Sequence, residues 1–88
     1  MLQERMTEEL TFDDESPIRL EFDFYEETFW CHNSGEVKGF DIEPIRKQLQ
    51  DDKGKWLPWE SAKDFDVLRI DDLDVKMQYW GDCLIHDV

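Results

Sequence analysis

The chain has 88 residues, enough for one domain and too few for two. Its 23 acidic and 10 basic side chains leave a formal net charge of −13, which disfavours direct contact with nucleic-acid phosphates or anionic membrane surfaces and steers the chain toward basic protein partners, less so as salt rises. Two cysteines are too few for a disulfide scaffold. No stretch has the length of a bilayer span, and Met1-Leu2-Gln3-Glu4-Arg5 has no apolar run behind a basic segment. A cytoplasmic protein with reduced thiols is expected.

Residues 1–15 form an acidic N-terminal segment. Leu2, Met6 and Leu10, four apart, would line one stripe of a short helix, and otherwise the segment is expected to fray. Residues 16–88 are expected to make the domain. From Ile18 the pattern sharpens: Ile18, Leu20, Phe22 and Phe24 alternate with Arg19, Glu21, Asp23 and Tyr25, the period of a half-buried strand. Thr28 to His32 is aromatic and strand-like. Asn33-Ser34-Gly35 reads as a turn, and Glu36 to Phe40 as the returning strand.

A short helix is expected next. Asp41 would cap it, Ile42, Ile45 and Leu49 are spaced three and four apart, Pro44 would sit in its first turn, and Gly54 would follow its end. Trp56-Leu57-Pro58-Trp59 reads as an apolar loop, and Ser61 with Asp64 as the cap of a single helical turn. Val67 to Ile70 reads as a strand and Asp71-Asp72 as a turn. Leu73, Val75, Met77 and Tyr79 alternate with Asp74, Lys76, Gln78 and Trp80. Gly81-Asp82 fits a two-residue hairpin turn, with Cys83 to Val88 as the last strand. The expected fold is α+β: a single small, mainly antiparallel sheet, in the order β-β-β-α-β-β-β, with one short helix packed on one face.

Four short runs carry a family resemblance over roughly residues 18–88: Phe40-Asp41-Ile42-Glu43-Pro44-Ile45 after a glycine turn, Trp56-Leu57, Phe65-Asp66-Val67-Leu68-Arg69-Ile70-Asp71, and Tyr79-Trp80-Gly81-Asp82. In their order and spacing they resemble the bacterial family called domain of unknown function 2442. The family commonly has an Asn before the last glycine, where Trp80 abuts Gly81 here. The resemblance implies a compact α+β fold with strands before and after one helix, no established catalytic residues, and protein binding, often to small toxin-like proteins.

Candidate chemistry is sparse. Cys31, His32, Cys83 and His86 are ligand types for zinc. On strands, however, neighbours and residues three apart face opposite sides, so no metal site or cofactor is expected, and the cysteines read as small core residues. The Cys31-His32 pair is opposed in the same way, and nearby acids would raise the thiol pKa, so a catalytic thiolate is not expected. The pairs Asp13-Asp14, Glu26-Glu27, Asp51-Asp52 and Asp71-Asp72 fit solvated turns better than a converging carboxylate site.

Trp56, Trp59 and Trp80 do not fit the apolar faces easily. They are the candidate anchors of a binding surface, with Glu26, Glu27, Asp71, Asp72 and Asp74 as its acidic rim; alternatively Trp56 and Trp59 close one end of the core. The expected function is a non-enzymatic, antitoxin-, immunity- or inhibitor-like module that covers a basic surface of a partner protein. The alternatives are a structural module forming a homodimer through an edge strand, and a small metal-dependent enzyme.

Overall fold

The computed structural model describes residues 3–86, with side chains to Leu84. Three long strands, β1 (Gln3–Thr11), β2 (Pro17–Cys31) and β3 (Gly35–Leu49), are followed by a two-residue strand β4 (Glu60–Ser61), a 3₁₀ turn (Val67–Arg69) and one helix, α1 (Leu73–His86). The strands form one antiparallel sheet in the order β1-β2-β3-β4. The α+β class and single sheet are those expected; the order differs, because every strand precedes the helix. Among the described residues no helix is long and apolar enough to cross a membrane.

The alternation of β2 organises the molecule. Ile18, Leu20, Phe22 and Phe24 are fully buried on one sheet face, while Arg19, Glu21, Asp23 and Tyr25 stand on the other. The buried row meets Leu10 and Met6 of β1 and Ile42 and Leu49 of β3 across the sheet. Phe12, just after β1, and Ala62, Ile70, Leu73 and Trp80 from the later part of the chain close over it.

Five expectations are corrected. The N-terminal segment is not a helix. Its residues Gln3–Thr11 pair with β2, from Gln3↔Tyr25 to Thr11↔Pro17; Leu2, the first member of the supposed stripe, lies outside the described residues. A spacing of four fits one strand face as well as a helix face, and here sheet pairing decides.

Residues 41–50 are not a helix either. They continue β3, interrupted by a bulge: Phe22 faces Pro44 and Glu21 faces Arg46, leaving Ile45 as the extra residue. The bulge turns an alternating pattern into the three-residue step between Ile42 and Ile45 that imitates a helix. Pro44, which has no N–H to donate, is tolerated beside such an irregularity. The carbonyl of Ile45 accepts from the Ala62 N–H at 3.0 Å, which docks the chain after β4.

The expected hairpin of residues 73–88 is α1, and Asp87 and Val88 lie outside the described residues. Leu73, Met77, Trp80 and Leu84, at steps of four, three and four, face the sheet, while Val75 and Tyr79 are exposed. Leu73 and Met77 satisfy both periods; Trp80 breaks the tie. Asp74 in the first turn suits the positive end of the helix. The expected strand at Val67–Ile70 is a 3₁₀ turn, capped by the Asp66 carboxylate, which accepts from the Leu68 N–H at 3.0 Å. Only Ile70 makes a strand-like bridge, to Phe12. In place of the helical turn expected at Ser61, β4 pairs with Arg46 and Lys47.

Candidate interaction surface

β2 and β3 outrun β1. Beyond Tyr25 they continue as a two-stranded arm that carries apolar groups on both faces. On the core-side face Glu26 pairs with Phe40, Thr28 with Lys38 and Trp30 with Glu36; on the open face Glu27 pairs with Gly39, Phe29 with Val37 and Cys31 with Gly35. Among the described residues no second layer covers the arm's end, and Trp30 is 80% exposed, Phe29 46% and Val37 40%. Phe29 lies on Gly39, where an added Cβ would come within 2.7 Å of the ring. Residues 26–41 hold Glu26, Glu27, Glu36 and Asp41 against the single cation Lys38.

The open face of the sheet nearer β1 and β4 is a charge ladder. Arg5 donates to Asp23 at 2.9 and 3.2 Å, Arg46 to Glu21 at 3.0 and 3.5 Å, and Arg19 to Gln48 at 3.3 Å. The loop after β3 folds back over it. Asp51 accepts from the N–H groups of Lys53 and Lys55, both at 2.9 Å, and the Leu57 N–H bonds the Leu49 carbonyl at 2.7 Å. This places Trp56 on the Arg19 guanidinium at 4.1 Å and Trp59 on that of Arg46 at 4.8 Å.

The expected anchors are therefore not one patch. Trp56 and Trp59 share a site and are half-buried against arginines. Trp80 is 7% exposed in the core on the opposite side of the sheet, between Phe22 at 5.1 Å and Phe24 at 5.9 Å, and is no anchor. The acidic rim is divided as well. Glu26 and Glu27 stand at the base of the arm, while Asp71, Asp72 and Asp74 are exposed at the start of α1, near Thr11 at the far end of the sheet. At about 3.3 Å per strand residue the two groups are ~30 Å apart. Trp30, Phe29 and Val37 were not singled out in the sequence. Their exposure follows from the lack of a covering layer over the arm among the described residues, which local pattern does not reveal.

The cysteines are not core residues: Cys31 is half-exposed at the arm's end and Cys83 is exposed on α1, because neither reaches the apolar layer between helix and sheet. The Cys31 thiol is not raised by acids but held below its ordinary value, chiefly by the backbone N–H groups of Asn33 and Ser34 in the turn. Its neighbour His32 is exposed in that turn. Among the described residues no three acidic, histidine or cysteine side chains gather as metal ligands; the side chain of His86 lies outside them. The Asp14 carboxyl is lowered by hydrogen bonds from Ser16, a local turn arrangement. A concavity of about 530 Å³, open to solvent, lies between β3, β4 and the 3₁₀ turn, with Lys47, Lys63 and Arg69 mixed with Asp64 and Asp66. Its one hydroxyl nucleophile, Ser61, accepts from the Lys63 N–H at 3.4 Å and has no histidine in the lining.

Comparison with family models, curated proteins and solved structures gave no match.

Proposed function

We propose that this chain is a non-enzymatic, acidic protein-binding module, of the antitoxin, immunity or inhibitor kind, that covers a basic surface on a cytoplasmic partner. One observation carries the reading: an indole 80% exposed at the end of an acidic two-stranded arm. Trp is enriched in binding hot spots, and here it stands exposed at the end of an arm with further apolar side chains, Phe29 and Val37, on its other face. The net charge of −13 would speed encounter with a cationic partner and repel nucleic acid. The resemblance to the domain of unknown function 2442 family points the same way.

The anchor assigned is Trp30, flanked by Glu36 and Glu26 on the core-side face of the arm; Phe29 and Val37 form a separate apolar pair on its open face, beside Glu27. Trp56 and Trp59, already engaged with arginines, are secondary, and the acids at Asp71, Asp72 and Asp74 steer from a distance. The test is affinity capture from the source cell with the wild-type chain and with Trp30→Ala, washed at ~50 mM and ~500 mM salt. A partner retained at low salt, released at high salt and lost with Trp30→Ala is expected. Recovery of the same proteins by both chains, or of none, counts against the reading.

A further inference from the structure

The outer edge of β3 is open along the arm. β4 reaches only Arg46 and Lys47, and the loop after β3 bridges back only at Gln50, so among the described residues no strand pairs with the edge from Gly35 to Pro44. A long unpaired edge is a template for another strand. The side chains along it decide which strand fits.

We infer that the chain forms a two-fold dimer by antiparallel pairing of this edge with that of a second copy, in the register centred on Val37. A two-fold axis normal to a sheet allows only registers centred on a residue, in which residues directly opposite share a face. Centring on Glu36, Lys38 or Asp41 sets that charge against itself. Centring on Ile42 opposes Asp41 and Glu43. Centring on Gly35, Gly39 or Phe40 sets no opposite charges face to face. Centring on Val37 sets Glu36 of each copy against Lys38 of the other, twice by symmetry.

The same register makes an apolar row on the open face. Val37 meets Val37 of the second copy, and Phe29, its cross-strand partner on β2, extends the row on each side. Gly35 falls opposite Gly39, so no side chain obstructs the seam. Overlap is confined to the arms of molecules 49 Å long, which leaves the acidic bodies at opposite ends, well beyond the Debye length of about 8 Å at physiological ionic strength. Their net charges therefore oppose the contact weakly. The surface is self-complementary and closed, so it makes dimers and not fibres.

The dimer does not depend on the partner-binding reading and is measured on the purified chain alone. The experiment is sedimentation velocity from ~1 µM to ~1 mM, on wild type, Glu36→Lys, Lys38→Glu and the double variant, with circular dichroism to verify folding. Wild type is expected to pass from monomer to dimer across the range. Each single substitution places like charges opposite and weakens association about tenfold or more; the double variant recovers it. In wild type, amides between Gly35 and Phe40 should exchange more slowly at high concentration, a readout that needs no variant. A wild-type monomer throughout, single variants that associate as wild type does, or a folded double variant that does not recover would each overturn the assignment.

Discussion

The ring of Phe40 lies against Gly81, in the place where the β-carbon of any other residue would be. This contact seats α1 on β3: Phe40 stacks on Phe24 at 5.3 Å, and the helix approaches closely enough to bury Trp80 beside it. Glycine inside a helix ordinarily costs about 1 kcal/mol relative to alanine, and here it makes the approach possible. Gly81→Ala is therefore expected to destabilise the fold by about 1–3 kcal/mol despite the gain in helix propensity, as urea titration would register. A neutral or stabilising outcome would mean that Phe40 has room to turn aside.

Two tryptophans should behave as opposites. Trp80→Ala removes an indole held between Phe22 and Phe24 and is expected to cost about 3–5 kcal/mol, a large share of the stability of a domain this small. Trp30→Ala truncates a side chain 80% exposed and should change stability by no more than ~0.5 kcal/mol. Equal losses in thermal melts would contradict the assignment of one to the core and the other to a surface.

The Arg5–Asp23 pair gives a pH signature. The hydrogen bond and charge of Arg5 hold the Asp23 carboxyl below its ordinary value. A carboxyl lowered on folding binds fewer protons in the native state, so its contribution is present above the unfolded value of about 4 and is lost as pH falls through the folded one. The arginine side of the pair is exposed, so the effect is small. Wild type and Arg5→Gln should differ in urea midpoint at pH 7 and converge near pH 2; a difference that persists in acid would refute the linkage.

Salt should stabilise the monomer. With a net charge of −13 on 88 residues, self-repulsion opposes the compact state, and ion pairs such as Arg5–Asp23 and Arg46–Glu21, exposed on the arginine side, contribute little to be screened. Raising sodium chloride from ~10 mM to ~500 mM should lift the melting temperature by about 5 °C, near 1 kcal/mol for this size. A fall would place the balance with the surface ion pairs.

The sequence showed most where one physical signal acted alone. The row Ile18, Leu20, Phe22 and Phe24 permits only a half-buried strand, and Asn33-Ser34-Gly35 only a turn; both are observed, with Gly35 at a φ of +72°. It misled where two periods shared residues. Met6 and Leu10, and Leu73 and Met77, each suit a strand or a helix, Ile42 and Ile45 suit a helix unless a bulge intervenes, and pairing partners distant in the chain chose between them. The binding surface was less legible. Trp30 lies in an aromatic stretch that predicts a strand, but its exposure depends on which side chains pack against the arm, a property of the assembled sheet that local pattern does not carry. Trp80 is surplus to the apolar face of a hairpin but falls on the apolar face of the helix that the chain forms instead.

The extra residue at Ile45 settles a question of parity. Ile42 and Leu49 are separated by an odd number of positions, yet they face Phe24 and Ile18 on the same side of the sheet. A strictly alternating β3 could inter one of them and would drown the other. Lengthening or shortening this strand by a single residue between 42 and 49 would thus turn either the arm or the base of the hairpin inside out, whereas the same change in the loop of residues 51–55 leaves both orientations intact.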